Sequence, residues 1–279
     1  MKKNSFFKSG SGSRKAFVSS FQNKQELKEK RQENNVSLIK NKIFNKSSED
    51  MNELVDNCVS LTVTSPPYNI GKDSDLELND EEYWKMINKV FSETYRVTKS
   101  GGRLVVNVAN LGRKPYIPFS KYFTEALNEI GFIMRGEIIW QKSKGANANF
   151  AWGSWLSASN PVIRDIHEYC LVFSKDSMKN SSGGKSTIEK DEFMESTLSI
   201  WNITPEKAKK IGHPAPFPVE LPKKFINLYS FEDDLILDTF IGSGTTAVAS
   251  KLLKRKYVGY EINKNYIEIA NNRLKMETS

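Results

Sequence analysis

The chain has 279 residues, 38% of them hydrophobic and 11% aromatic, with 41 Lys plus Arg against 33 Asp plus Glu for a formal charge of +8. That suits one large domain with a sizeable core and excludes a wholly disordered chain. A mean hydropathy of -0.51, with no apolar run near the roughly 20 residues of a spanning helix, argues against a membrane protein. The start, MKKNSFFKSGSGSRK, lacks the apolar stretch of a secretory signal, so a cytoplasmic location is expected. Cys58 and Cys170 have no zinc spacing and read as buried small hydrophobes. His167 and His213 cannot build a multi-histidine site, and no metal is expected.

The charge is unevenly spread. Residues 1–46 carry twelve basic and three acidic side chains, a charge of +9, which leaves the remainder at −1. The polar leader, residues 1–35, reads either as a flexible tail followed by a solvated helix or as a basic arm that tracks phosphates. From residue 36 onward the pattern is alternating α/β. Strands are predicted at Ile43–Asn45, Val59–Thr64, Arg103–Val108, Ile133–Trp140, Tyr169–Phe173, Leu235–Thr239 and Tyr257–Glu261. Amphipathic helices are predicted at Glu49–Asp56, Asp80–Val97, Phe119–Ile130, Pro218–Tyr229, Gly244–Leu253 and Lys264–Lys275. This alternation predicts a doubly wound, largely parallel sheet with helices on both faces. Residues 143–210 break it with loop composition, apart from the run ending at Phe173, and form the candidate substrate-specific region.

Two segments carry chemistry. TSPPYNI, Thr64–Ile70, follows a strand, where open α/β sheets place their ligands. Its two prolines stiffen the backbone and remove two amide donors. An acceptor-rich loop with an aromatic ring beside it suits an amino group on a planar base, although a proline turn with a core tyrosine would look the same. LILDTFIGSGTTAVAS, Leu235–Ser250, runs from a strand through a Gly-rich turn into a small-residue helix. Gly242 and Gly244 allow close backbone approach to a ligand, and the helix start at Thr245 offers free amides. A second strand then ends in Glu261, placed to accept from ribose hydroxyls. The turn reads as a nucleoside-cofactor turn or as tight packing.

Together the two segments resemble the amino-methylating DNA methyltransferases, which transfer methyl from S-adenosylmethionine to an exocyclic base nitrogen. The resemblance runs from about Val36 to Met276. KSGGRLVVNV (Lys99–Val108), EIIWQKS (Glu137–Ser143) and HPAPFPVELPKKFINLYS (His213–Ser230) are similar to further family segments. The order, with the catalytic loop first, then a variable region, then the cofactor turn, is that of the family's beta group. It implies a Rossmann-like fold with circularly permuted motif order and a target-recognition insertion over 143–210.

The resemblance implies Ser65, Pro66, Pro67 and Tyr68 as the catalytic loop. It implies Asp238, Phe240, Gly242, Ser243, Gly244, Thr245 and Glu261 as cofactor-binding, with His213, Pro214, Ala215 and Phe217 on the methionine side and Asn45 and Ser47 near the adenine. The strand before the adenine commonly ends in Gly-Asp in the family, whereas here Lys46-Ser47-Ser48 follows. Asn147, Asn149, Trp152, Trp155, Asn160 and Arg164 of the insertion are able to read base edges or stack.

A lone pair delocalised into the ring must be freed by acceptors on the amine's N–H bonds, a role for Ser65 Oγ and the Pro66 carbonyl. Methylation at cytosine carbon 5 would need a thiolate in a Pro-Cys loop, and neither cysteine has that context. In the family it resembles, serine at the first catalytic position is typical of cytosine amino-methylation and aspartate of adenine, so the resemblance implies N4-cytosine, with N6-adenine the alternative. The expected setting is a restriction-modification system acting on double-stranded DNA. A cognate restriction endonuclease as partner and the choice between monomer and homodimer stay open. Other readings are a non-catalytic nucleic-acid-binding protein on this fold and a small-molecule or RNA methyltransferase.

Overall fold

In the computed structural model the described residues are 39–68, 78–112, 115–142, 153–206 and 217–278. The leader 1–35, residues 143–152 with Asn147, Asn149 and Trp152, and the segment with His213, Pro214 and Ala215 lie outside them. Among the described residues, eight strands form one sheet: β1 (Lys42–Phe44), β2 (Val59–Thr64), β3 (Thr98–Val108), β4 (Phe132–Gln141), β5 (His167–Lys175), β6 (Ile200–Asn202), β7 (Leu235–Asp238) and β8 (Lys256–Tyr260). Their order across the sheet is β1-β8-β7-β2-β3-β5-β4-β6. The first five in that row are mutually parallel, whereas β5 is antiparallel to both β3 and β4, and β6 adds parallel to β4. The helices are α1 (Asp80–Val97), α2 (Phe119–Ile130), α3 (Lys190–Ser196), α4 (Glu220–Tyr229), α5 (Thr245–Leu252) and α6 (Lys264–Met276). None of the described helices is long and apolar enough to cross a membrane.

Strand alternation sorts the core into two layers. Leu104, Val106 and Val108 of β3 and Leu171 and Phe173 of β5 face α1 and α2, where they meet Ile87, Phe91, Phe123 and Leu127. The intervening Val105, Cys170 and Val172 join Leu61, Val63 and Ile236 against Phe225 and Ile226 of α4 and Ala249 of α5. With both faces covered, β2 is buried throughout, which accounts for its continuous apolar and threonine composition. Helix α1 starts with a capping box in which Asn79 accepts from Glu82 N–H while the Glu82 carboxylate takes the Asn79 N–H, and acids fill its first turn. Helix α2 stops at Gly131, whose φ of 114° suits a residue without a β-carbon.

Two expectations are corrected. Glu49–Asp56 forms turns instead of a helix. Arg96 of α1 donates to the carbonyls of Met51 and Leu54 and pairs with Asp56 and Glu93, so carbonyls that a helix would use are already occupied. The region 143–210 also holds more structure than its composition implied, since α3 and β6 lie within it. Strand β6 sits in a stretch of loop composition and exists because it pairs with the end of β4 and seats Trp201 in the core.

The topology switches direction between β7 and β2. The crossover from β7 through α5 leads to β8 on one side, and that from β2 through α1 leads to β3 on the other. Their adjacent carboxyl ends therefore open a crevice that no crossover covers. Phe225 of α4 lies fully buried against the sheet behind it, 4.5 Å from the ring of Trp201. Phe225→Ala should lower the unfolding free energy by about 4 kcal/mol in urea denaturation, the cost of a large core cavity.

Candidate active site

The catalytic loop leaves β2 at the crevice. Pro66 is buried, and Ser65, Pro67 and Tyr68 are partly exposed. The Pro67 carbonyl accepts a hydrogen bond from the Tyr83 hydroxyl at 2.8 Å, which ties the loop to the first turn of α1. The Tyr68 ring packs against Phe119 with 6.0 Å between centroids. Its hydroxyl accepts from the Ala109 N–H at 2.9 Å, just past β3, and shares a hydrogen bond with the Ser65 side chain. Burial, with the Glu168 carboxylate adding to it, pushes the Tyr68 hydroxyl well above its ordinary range, so it stays neutral. The loop is thus held at Pro67 and Tyr68 by neighbouring elements.

On the other side of the crevice, Asp238 ends β7 with only 1% exposure. Its Oδ1 accepts from Thr64 Oγ1 at 2.7 Å and from the Phe240 N–H at 3.1 Å, and its Oδ2 accepts from Thr246 Oγ1 at 2.6 Å. One carboxylate therefore joins the last residue of β2, the start of the Gly-rich turn and the first turn of α5. Desolvation raises its pKa to about 6, with Glu261 contributing to the rise and the three donors opposing it.

The turn follows. Gly242 and Gly244 have φ of 48° and 83°. A β-carbon on Gly244 would stand 2.7 Å from the Ala270 Cβ, so glycine is required there both by conformation and by the approach of α6. Glu261 Oε2 accepts from the Gly242 N–H at 3.0 Å and its Oε1 from the Asn263 N–H at 2.8 Å. These bonds fix a partly exposed carboxylate beside the turn, and burial raises its pKa. Phe240 is partly buried next to the α1–α2 core.

The structure brings Ser65 to Tyr68 and Asp238 to Thr245 together on adjacent strand ends, with Glu261 joined to the turn. Asn45 donates to the carbonyls of Glu261 and Ile262, both at 3.0 Å, and so braces the strand end that carries the acid. Ser47 forms a local turn with Glu49. Phe217 packs at the margin of the α4 core. Of the recognition candidates, Trp155 and Asn160 are exposed and Arg164 is partly so.

Several supporting residues were not singled out in the sequence. Arg273 of α6, itself buried, donates to the Ser243 carbonyl at 3.1 Å and Thr245 Oγ1 at 2.9 Å while its Nε pairs with Glu277. The buried Ser48 hydroxyl donates to the Thr239 carbonyl at 2.8 Å. Glu168 of β5 accepts from Asn107 Nδ2 at 2.6 Å and pairs with Lys142 beside the catalytic loop. A lone Arg in NNRLKM gives no signal of this kind. Thr64 and Thr246 were visible only as members of their motifs.

Two outcomes are expected. Because the folded-state pKa of Asp238 is raised from 3.8 to about 6, its contribution to stability is fully present below about pH 4 and lost as pH rises through about 6. Urea denaturation of wild type and Asp238→Asn across that window should show wild type losing up to about 3 kcal/mol relative to the variant. Arg273→Met leaves the Ser243 carbonyl without its charged donor and should cost about 3 kcal/mol in the same assay.

The model of a family described as DNA methylase matches residues 59–272. Type II methyltransferase M.MthZI of Methanothermobacter thermautotrophicus is 31% identical over 270 residues, covering 84% of this chain and 76% of the relative. Orphan methyltransferase M.BamHII of Bacillus amyloliquefaciens is 34% identical over 261 residues, covering 81% and 92%. Among solved structures, TTHA0409 of Thermus thermophilus, complexed with S-adenosyl-L-methionine, is similar with a TM-score of 0.68 and 26% identity, over 85% of this chain and 95% of that one. The cytosine-N4-specific PvuII DNA methyltransferase shares the fold with a TM-score of 0.68 at 21% identity, over 85% and 87%. A match that begins at β2 and runs into α6, enclosing both sides of the crevice, makes this chain a member of the N6/N4 DNA methylase family.

Proposed function

We propose that the protein methylates the exocyclic N4 amine of cytosine in duplex DNA, with S-adenosylmethionine as cofactor, in the setting of a restriction-modification system. The observation that carries this reading is the rigid Ser65–Tyr68 loop facing the Asp238–Thr245 turn across one crevice. The donor set fits the cofactor. Glu261 is held by the Gly242 and Asn263 amides and keeps lone pairs for two ribose hydroxyls. The turn of Phe240 to Gly244, which bears no charged side chain, suits a cationic ligand placed near the Glu261 and Asp238 carboxylates. When bound, S-adenosylmethionine supplies an electrophilic sulfonium methyl group.

The protein's own part is positioning. Ser65 Oγ and the Pro66 carbonyl accept the two N–H bonds of the amine, which draws its lone pair out of conjugation with the ring. Two prolines in succession keep competing amide donors away from those acceptors. Tyr68, neutral and anchored through Ala109, offers its ring to a base extruded from the stack. The choice of cytosine is supported by Ser65, the form of the loop that the family resemblance links to cytosine, where aspartate is linked to adenine. No thiolate is at hand for carbon methylation: both cysteines are buried, and burial pushes the Cys58 thiol up to about 11.

Incubation with labelled S-adenosylmethionine and mixed-sequence duplex, followed by digestion to nucleosides, should yield N4-methylcytosine. N6-methyladenine as the sole product would overturn the choice of base. Ser65→Ala should reduce kcat by about 10²–10³-fold, the typical cost of removing one group that stabilises a transition state. Cofactor affinity, measured by calorimetry, should stay within about twofold.

A further inference from the structure

The stretch Gly153–Pro161 is a loop closed by its own hydrogen bonds, with Ser154 its most covered residue. Gly153 and Pro161 form an antiparallel bridge, and the Ser154 N–H donates to the Asn160 carbonyl at 2.9 Å. Ser154 Oγ donates to the Ser157 carbonyl at 2.7 Å and accepts from the Asn160 N–H at 2.8 Å. Ser157 in turn bonds Ser159 through both its hydroxyl and the Ser159 N–H. A β-carbon on Gly153 would lie 2.1 Å from the Asn160 carbonyl oxygen, so the neck of the loop closes only around glycine. These bonds set the conformation before anything binds.

The tip carries Trp155, 64% exposed, and Leu156, 89% exposed. Leu156 has φ of 52°. The other described non-glycine residues with positive φ are Asn41, Asn57, Asp176, Asp233 and Lys254, all polar. A left-handed leucine costs about 1 kcal/mol or more, and at this exposure no packing offsets it. A costly conformation that points an aliphatic side chain into water needs a use elsewhere.

The loop's return leg is fastened at the crevice side of the sheet. The Lys142 N–H, just past β4, donates to the Ile166 carbonyl at 2.9 Å, and the Tyr116 hydroxyl donates to Asp165 at 3.4 Å. Strand β5 then begins at His167, antiparallel to β3. Its start therefore lies at the same sheet edge as the ends of β3 and β2, where the catalytic loop emerges. Ile163 and Ile166 of the return leg are exposed as well, but the tip itself presents only two apolar residues, narrow against a stable protein interface of roughly 800 Å² per partner. Its width is that of a side chain inserted between base steps, and the exposed Ser157, Ser159 and Asn160 flank it with groups suited to phosphates and base edges.

We propose that this loop is a wedge: Leu156, next to Trp155 in the chain, enters the base stack beside the target and occupies the space the extruded base leaves. The proposal rests on the duplex-DNA reading above. The side chain lowers the net cost of unstacking and unpairing, a few kcal/mol on an intact duplex and less where the target is already unpaired.

Leu156→Gly tests it, because glycine relieves the positive φ and the site is exposed, so thermal stability should hold or rise. On a matched duplex containing the site that wild type methylates, kcat/KM should fall about tenfold, with Leu156→Met near wild type. On the same duplex with an abasic site opposite the target, Leu156→Gly should recover to within about twofold of wild type. An equal loss on both substrates, no loss on either, or a changed target sequence without recovery would overturn the wedge. Absence of methyl transfer to any DNA by wild type would instead overturn the functional reading on which it depends.

Discussion

The crevice depends on one buried carboxylate. Asp238 ends a central strand with 1% exposure and receives hydroxyls from two other elements and an amide from its own turn. An acid withdrawn from water is destabilising unless its lone pairs are filled, and a site that fills them from three directions has little freedom to rearrange. Because Thr64 is one of the donors, the same contact that satisfies Asp238 fixes the point where the TSPPY backbone departs from β2. Thr246 fixes the first turn of α5 in the same way. Both walls of the crevice are hung from a single functional group.

The remaining polar contacts extend that arrangement outward. Arg273 fastens the Gly-rich turn from below through main-chain and hydroxyl oxygens, and Ser48 holds the Thr239 carbonyl. Glu261 is presented by amides of the turn it flanks. Around the opposite wall, Tyr83 and the Ala109 amide restrain Pro67 and Tyr68. Charge is concentrated on acids held by neutral donors, while the loop proposed to meet the amine carries none. That division matches a reaction in which a cationic group is held on one side and a weakly basic nitrogen is oriented on the other.

Much of this was legible in the sequence, for identifiable reasons. Strands such as Val59–Thr64 and helices such as Asp80–Val97 and Phe119–Ile130 have the observed bounds because periodicity, a capping box and a terminal glycine all agree. Glu49–Asp56 had helical spacing yet lost its carbonyls to Arg96, a partner some 40 residues away that no local pattern reveals. Strand β6 was hidden because its one buried residue, Trp201, lies in loop-like composition and its pairing with β4 is visible only in the fold. At the site, the motifs displayed the residues that line the crevice but not their supports. Arg273 lies in a predicted amphipathic helix with nothing to mark it out, and only the fold brings it beneath Ser243.

The sheet order also sets a schedule for assembly. Edge strand β1 is the earliest described strand in the chain, yet its pairing partner is β8, the last strand of the sheet. Likewise β2 borders β7, some 170 residues downstream, and the turn after β7 is clamped by Arg273. On the ribosome, the acceptor loop is synthesised some 170 residues before the strand that completes its crevice. The edges of β1 and β2 that pair with β8 and β7 must wait until those strands are made, a burden of long-range contacts that slows folding and exposes the nascent chain to association. The crevice therefore closes only after β7 and α6 have been made, so a product truncated before β7 would carry the TSPPY loop without a place to use it.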